Sequence, residues 1–260
     1  MCTLVALHRC VPGAPLLVAA NRDEHYARPS EGPRLRSGPH GLVLAPLDRR
    51  AGGTWLGIAA GGLVAAVTNR PCPHPDPERR SRGLLVLEAL GAPSAAEAAR
   101  ALARLPRRAY NPFNLFVADR HSAHVVTYEE APRRIDLGPG PHVIGNADPE
   151  AVPTPKLRRL RREARRAAAR GERALEALES ICRRHDGGGD PLAATCVHTP
   201  GFGTRSSALL RISDFVADDV FRFAEGAPCK SAYEDLTPLL HALGGGIPRA
   251  EGDHAMRSAR

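Results

Sequence analysis

The chain has 260 residues, 43% hydrophobic and 25% charged, enough for one large or two small globular domains with a substantial core. Its formal net charge is +8, but almost all basic residues are arginine, aromatic residues make up only 4%, and no nucleic-acid-binding motif is present. No nucleic-acid partner is therefore expected. Because neither an apolar run of membrane-spanning length nor a signal peptide is found, we predict a cytoplasmic protein without stable membrane insertion.

The first residues, Met1-Cys2-Thr3, place a thiol where removal of Met1 makes Cys2 the N-terminal residue. Methionine is normally removed before a residue as small as cysteine. The new α-amine, with an ordinary pKa of about 7.7–8.0, could take the proton of a thiol whose ordinary pKa is about 8.5. This arrangement is that of N-terminal threonine catalysis, with sulfur in place of oxygen. The alternative is that Cys2 only begins an apolar strand.

The first two apolar runs predict a β-hairpin that is buried on both faces of its sheet. They comprise residues 2–7 and 16–20, with a turn at 12–15. The polar sequence Asn21-Arg22-Asp23-Glu24 follows, and antiparallel pairing would bring Arg22 and Asp23 beside Cys2. The guanidinium is then expected to lower the pKa of the thiol, and Asp23 to hold the α-ammonium. Neighbouring strand residues point to opposite faces, so both side chains reach Cys2 only if the strand has ended.

The rest of the chain predicts further strands and helices and no clean interdomain linker. Segment 28–40 is rich in proline, glycine and charge and is predicted as a loop. Alternating runs predict antiparallel strands at 54–58, 63–68, 115–119, 124–128, 134–137, 142–146, 208–212 and 220–223. Helical patterns cover 82–90, 94–105 with a capping box from Ser94 to Glu97, and 154–185 with a break at Gly171. We expect one domain over 1–243 and a disordered tail over 244–260.

The six cysteines are scattered, and a disulfide framework is not expected in a chain of this size and compartment. Cys182, His185, Cys196 and His198 offer two thiols and two imidazoles within a short span, as a zinc site does. Their spacing fits no common zinc finger or ribbon, and a glycine-rich loop separates the two pairs. We therefore expect no metal and no cofactor.

Several ordered motifs extend over roughly the first 225 residues. They are Met1-Cys2-Thr3-Leu4-Val5, Asn21-Arg22-Asp23-Glu24, Ala51-Gly52-Gly53-Thr54-Trp55-Leu56-Gly57, Val67-Thr68-Asn69-Arg70, Ser81-Arg82-Gly83, Tyr110-Asn111-Pro112-Phe113-Asn114-Leu115, Gly145-Asn146-Ala147, Pro155-Lys156 and Gly203-Thr204-Arg205-Ser206-Ser207. Together they resemble the NRDE family, which is named for transport and Golgi organisation. Their consistent order makes the match far more specific than any single motif.

This family is similar to the N-terminal-nucleophile hydrolases, of which the choloylglycine hydrolase and penicillin V acylase type is closest in pattern. The resemblance implies an α+β fold, a four-layer αββα sandwich with two mainly antiparallel sheets. It also implies a set of catalytic residues: Cys2, Arg22, Asp23, Asn69, Asn146 and Arg205. Further polar and aromatic residues of the motifs are predicted to bind substrate: Asn21, Trp55, Arg70 and Asn114.

The function expected from this resemblance is amide hydrolysis or acyl transfer at a linear, non-peptide C–N bond, with Cys2 as the nucleophile and a small acyl or amide substrate. The alternative is a non-catalytic protein of trafficking that carries haem or a lipid, such as an acyl-CoA, in the same pocket. A purely structural role for Cys2 is the third reading. The substrate and the oligomeric state are not defined by the sequence.

Overall fold

A computed structural model describes residues 2–244, so the predicted removal of Met1 and all of the predicted tail beyond Gly244 lie outside the described residues. Within 2–244 there are fourteen strands: β1 (Thr3–Val11), β2 (Ala14–His25), β3 (Ser30–Gly38), β4 (Gly41–Asp48), β5 (Leu56–Ala59), β6 (Leu63–Asn69), β7 (Phe113–Ala118), β8 (Ala123–Tyr128), β9 (Pro132–Leu137), β10 (Gly140–Ile144), β11 (His198–Thr199), β12 (Phe202–Ile212), β13 (Val220–Glu225) and β14 (Glu234–Asp235). The same residues contain five α-helices: α1 (Arg82–Leu90), α2 (Ala95–Leu102), α3 (Pro155–Ala168), α4 (Ala174–Cys182) and α5 (Thr237–Ala242).

The described strands form two antiparallel sheets of seven strands each. The first sheet has the order β10-β1-β2-β12-β13-β14, with β11 paired to β12, and the second runs from β3 to β9 in chain order. None of the helices in residues 2–244 combines the length and the apolar character needed to cross a bilayer.

Three apolar cores separate four layers, which confirms the αββα sandwich. The central core joins the two sheets and contains Leu16 from β2 and Phe116 from β7. A second core packs α1 and α2 onto the outer face of the second sheet, and a third packs α3 and α4 onto the outer face of the first. Each sheet is therefore covered on both faces, as the continuous apolar runs of β1 and β2 predict.

The helices follow their sequence signals. Ser94 caps α2 by accepting a hydrogen bond from the backbone N–H of Glu97 at 3.2 Å, as its capping box predicts. The long pattern at 154–185 is broken at Gly171, where a short 3-10 turn separates α3 from α4. The prediction of a loop at 28–40 was wrong, since β3 occupies most of it. This strand lies at a sheet edge and is only half-buried, so its composition is that of an exposed segment.

The second strand also extends further than its apolar run indicates. β2 continues to His25, so the polar sequence from Asn21 to Glu24 lies within the strand and does not follow its end. These residues find partners there, because β12 pairs with β2 along this length and places Ser207 opposite Asn21. Strand periodicity therefore governs where Arg22 and Asp23 point.

A close contact between two glycines fixes α1 against the loop before β5. Gly53 and Gly83 approach so closely that a Cβ at Gly53 would lie 2.5 Å from the carbonyl carbon of Gly83. The backbone N–H of Thr54 donates to the Gly83 carbonyl at 3.1 Å across this contact. The atoms that an added Cβ would meet belong to the backbone of Gly83 and Leu84, which cannot move aside as a flexible side chain could.

Gly53→Ala is expected to lower the free energy of unfolding by about 1–3 kcal/mol because the added methyl overpacks this contact. Urea denaturation of the two proteins measures the difference. Gly138→Ala is the matched control, since a Cβ there meets no heavy atom within 4 Å. Equal stability of the two variants would show that the glycine contact is not a constraint on the fold.

Candidate active site

Cys2 faces the cleft between the two sheets. Side chains alternate along β1, with Leu4 and Ala6 in the central core and Val5 packed against the helices. Cys2 lies two residues before Leu4, so its side chain points to the same face of the sheet. Its thiol is half-buried, and its Sγ lies 3.9 Å from the carbonyl oxygen of Asp23, to which it donates a weak hydrogen bond. The start of the chain thus meets β2 at the point where that strand becomes polar.

Arg22 shares this face with Cys2. Thr3 pairs with Asn21, so Arg22 lies opposite Cys2. Its side chain points to the same face of the sheet as that of Val18, which lies in the central core. The guanidinium is 5% exposed, with its Cζ 4.1 Å from the centre of the Trp55 ring. Its Nη1 is buried without a hydrogen-bond partner among the described residues, which leaves a charged donor available to a bound group.

Asp23 points to the opposite face of the sheet, toward the helices, because β2 has not ended. Its Oδ1 accepts a hydrogen bond from Thr204 Oγ1 at 2.6 Å. Burial raises the pKa of the Asp23 carboxyl to about 6, although the Thr204 hydroxyl and the Lys156 ammonium favour the ionised form. The backbone carbonyl of Asp23 accepts from the thiol, while its carboxyl lies on the other face of β2 from Arg22.

The surroundings of the Cys2 thiol favour its protonated form. Burial raises its pKa above the ordinary value, and the nearby charge of Asp23 adds to this effect. Arg22 lowers the pKa, as predicted, but by less than burial raises it. Because burial outweighs this effect, ionisation of Cys2 needs a base that accepts its proton.

A cavity of about 470 Å³ opens over Cys2 and is lined by charge of both signs. Its arginines are Arg22, Arg28, Arg50, Arg79, Arg80 and Arg82. Its acidic residues are Glu24, Asp48 and Asp76, together with Asp23, whose carboxyl is turned away from the cleft and bound to Thr204. The excess of guanidinium favours an anionic group in the cavity. A much smaller, mainly apolar cavity of about 20 Å³ adjoins it at Cys2, Arg22 and Trp55.

Most of these charged residues were missed by the sequence analysis. Arg28 binds the Asp48 carboxylate through Nε at 2.9 Å and Nη2 at 2.6 Å. Asp48 is fixed by the turn to Gly53, whose carbonyl accepts from the Asp48 N–H at 2.8 Å, and Gly52 adopts a φ of +68° there. Arg82 donates to the Pro112 carbonyl at 3.1 Å. Arg82 belongs to one of the quoted motifs, which was the available signal for it.

The two asparagines predicted to be catalytic lie together. Asn146 Nδ2 donates to the backbone carbonyl of Asn69; Asn69 lines the cavity, whereas Asn146 is not in its lining. Asn114 does not line it; its Nδ2 donates to the carbonyls of Gly145 at 3.0 Å and Ala147 at 2.8 Å. Asn114 therefore holds the loop that presents Asn146.

Three other predicted site residues are engaged elsewhere and are not in the lining of the 470 Å³ cavity. Arg205 donates to the backbone carbonyl of Tyr26. Arg70 pairs with Glu129 and Asp148 at 3.3 and 3.6 Å. The buried amide of Asn21 ties β2 to the loop after α4: its Nδ2 donates to two backbone carbonyls, of Cys182 at 2.9 Å and Thr195 at 3.0 Å.

Three of the four residues considered above as a zinc site lie close together, but the fourth member of their cluster is a different cysteine. His185, Cys196 and His198 cluster with Cys229. Cys182 lies instead in the core between α4 and the first sheet, where burial raises the pKa of its thiol to about 12.

Comparison with known proteins identifies the family. The family model described as transport and Golgi organisation 2 matches residues 1–215. The chain belongs to the transport and Golgi organisation 2 family. A human relative, the transport and Golgi organization protein 2 homolog, is 33% identical over 240 residues, which cover 81% of this chain and 85% of the human protein.

Solved structures show that this member of the family has the fold of N-terminal-nucleophile hydrolases. An N-acylethanolamine-hydrolyzing acid amidase ortholog from Caenorhabditis elegans superimposes with a TM-score of 0.54 at 12% identity, over 80% of this chain and 92% of that chain. A variant of the conjugated bile acid hydrolase from Clostridium perfringens gives a TM-score of 0.59 at 14% identity, over 91% and 93%. At these identities the likeness concerns the fold alone.

Arg22→Gln is expected to slow alkylation of Cys2 by iodoacetamide about threefold or more near neutral pH, because loss of the guanidinium raises the pKa of the thiol further. Peptide mass spectrometry of the Cys2 peptide measures the rate. Arg70→Gln is the control, since Arg70 is also mostly buried and ion-paired but does not line the cavity. If both variants label at the wild-type rate, Arg22 does not act on the thiol.

Proposed function

We propose that this protein is an N-terminal-cysteine amidohydrolase or acyltransferase that acts in the cytosol on a linear C–N amide carrying a negatively charged group. The observation that supports this most directly is the position of Cys2. Its thiol borders a cavity of about 470 Å³, on the same face of the first sheet as a buried guanidinium with an unused donor. A fold shared with hydrolases adds support without establishing the reaction.

In this mechanism, removal of Met1 exposes the α-amine of Cys2, which accepts the proton of Sγ. The thiolate then attacks the amide carbonyl and forms a tetrahedral intermediate. Collapse of the intermediate breaks the C–N bond, and the α-ammonium gives its proton to the leaving amine. The resulting thioester passes its acyl group to water or to an acceptor nucleophile. An α-amine base suits Cys2, because burial raises the pKa of its thiol.

The oxyanion of the intermediate is assigned to two donors, the backbone N–H of Asn69 and the side-chain amide of Asn146. One amide hydrogen of Asn146 is donated to the Asn69 carbonyl, and the proposal gives the second to the oxyanion. Each donor of this kind contributes about 3–4 kcal/mol to stabilising the transition state. Asn114 acts through Asn146 as a positioning residue.

The charge of the cavity suggests the substrate class. Six arginines and four acidic residues line it, and Arg28 is already paired with Asp48. Arg22 Nη1 and the neighbouring Arg82 can therefore bind a carboxylate or phosphate of the substrate. Two fold relatives have names that mention an amidase and a conjugate hydrolase, which agrees with an amide as the bond broken.

Wild-type protein lacking Met1 is expected to hydrolyse an N-acylglycine with a kcat/KM about tenfold above that of the N-acylethanolamine with the same acyl chain, because the carboxylate gains charge-assisted hydrogen bonds. A quenched sample should carry one acyl group on Cys2, seen by intact-mass and peptide mass spectrometry. Amine release measured by chromatography gives the rates.

Cys2→Ala is expected to abolish both the acyl adduct and turnover, whereas Cys72→Ala, at another half-buried cysteine, should retain them. Turnover of every amide and thioester tested by Cys2→Ala at the wild-type rate would overturn the proposal. Equal rates for the charged and uncharged amides would overturn the assignment of an anionic substrate and leave the nucleophile intact.

Carriage of an anionic lipid or of haem is the second candidate. The guanidinium excess of the cavity favours it, since arginines bind carboxylates and phosphates whether or not the thiol reacts. The same mass spectrometry separates the two candidates. Stoichiometric release of unaltered ligand, with no adduct on Cys2, would support carriage.

The acid limb of the pH profile is expected to follow Asp23, whose carboxyl has a pKa of about 6. The proposal needs this carboxylate ionised to hold the α-ammonium, so activity should rise as the pH increases through about 6. Folding favours the neutral carboxyl, so the stability that it contributes is lost as the pH rises from its ordinary pKa of 3.8 to about 6. Thr204→Val removes the hydroxyl bound to Oδ1 and should move the limb to higher pH. Thr204→Ser keeps the hydroxyl and serves as the control; an unshifted limb in folded Thr204→Val would exclude Asp23 from this role.

A further inference from the structure

Four potential metal ligands converge from three segments of the chain, outside the cavity that contains Cys2. His185 follows α4, Cys196 and His198 flank the start of β11, and Cys229 lies in the loop between β13 and β14. Cys196 is buried, His198 and Cys229 are half-buried, and His185 is exposed. The ligand atoms of all four lie within 4.8 Å of one another.

Three of the six distances among these atoms are close to the edges of a small tetrahedron. Cys196 Sγ lies 3.6 Å from Cys229 Sγ and 3.6 Å from His198 Nε2. Cys229 Sγ and His198 Nε2 are 3.1 Å apart. A tetrahedral zinc ion with Zn–S bonds of about 2.3 Å and Zn–N bonds of about 2.0–2.1 Å needs S–S edges of about 3.8 Å and S–N edges of about 3.6 Å. The fourth ligand, His185, stacks edge-on against His198 with ring centres 5.0 Å apart.

The backbone around the cluster is held independently of any ion. The N–H of Cys196 donates to the Arg184 carbonyl at 2.7 Å, which closes the loop between the ligands. Arg183 Nη1 donates to the Pro228 carbonyl at 2.5 Å and so fixes the segment that bears Cys229. Arg159 crosses the loop and contacts the Asp186 carboxylate at 3.1 Å. The ligands are therefore presented by an ordered scaffold.

We propose that His185, Cys196, His198 and Cys229 form a structural Zn²⁺ site. Two thiolates and two imidazoles are the ligands that tetrahedral zinc prefers, and their two negative charges neutralise the ion. Four protein ligands complete the coordination, so the site has no open position for chemistry.

The site would anchor the loop after α4 to the strand that carries Asp23. Between the ligands Cys196 and His198, the Val197 N–H donates to Thr204 Oγ1 at 2.8 Å, and that hydroxyl donates to Asp23 Oδ1. Asn21 binds the same loop through the Thr195 carbonyl. Zinc thus adds a further crosslink to the partners of β2 near Cys2, and this inference does not depend on the reaction proposed for Cys2.

The metal content of the full chain, produced without a histidine tag in medium containing zinc sulfate and purified with a reducing agent, tests the site. Elemental mass spectrometry is expected to find about one zinc per chain. Cys229→Ser and Cys196→Ser should each lose most of it, while the control Cys72→Ser should keep it. Cobalt added to the metal-free chain should give the visible absorption of a tetrahedral thiolate complex in wild type and in Cys72→Ser only.

If Cys196→Ser fails to fold, His185→Ala is the second variant, because His185 is exposed. It should lose zinc faster than wild type during dialysis against a chelator.

Zinc removal from wild type should lower its Tm by about 5–10 °C. It should also speed amide hydrogen exchange in 185–198 and 226–231 but not in α1. Wild type with less than about a tenth of a zinc per chain and no cobalt spectrum would overturn the proposal. Zinc unchanged in Cys229→Ser, or a Cys196–Cys229 disulfide in the chain as purified from the cell, would also overturn it.

Discussion

The antiparallel register between β1 and β2 is the constraint on which the candidate site depends. Thr3 lies opposite Asn21, and this pairing sets Cys2 beside Arg22 on the face between the sheets. Side chains alternate with a period of two, so a slip of one residue would turn Arg22 toward the helices and bring Asp23 into the cleft. Both strands are buried on two faces, in the central core and against α3 and α4, which holds the register firmly.

The same burial determines the electrostatics of the site. It raises the pKa of the Cys2 thiol and of the Asp23 carboxyl, so the two groups ionise only where a neighbouring charge compensates them. Arg22 provides such a charge on one face of β2, and Lys156 on the other. In the proposed mechanism the Cys2 thiol stays neutral until its own α-amine accepts the proton, which confines its reaction to the cavity.

The sequence predicts the fold well where local patterns carry it. The apolar runs give the hairpin and the double burial, and Ser94 marks the start of α2. The charged edge strand β3 is missed because exposure makes it look like a loop. In the site, Cys2 and Arg22 are found because hairpin geometry joins them. Distant residues have no such signal. Arg28 meets Asp48 at the open end of the hairpin formed by β3 and β4, and Cys229 lies far along the chain from the other members of its cluster.

The central claim is that a processed N-terminus carries the nucleophile. Intact-mass and N-terminal peptide mass spectrometry of the protein isolated from its own cells tests this most directly. The account predicts a chain that begins at Cys2, with that thiol labelled at a rate different from those of the other cysteines. A chain that retains Met1 throughout the purified population would leave Cys2 without an α-amine and would contradict the mechanism.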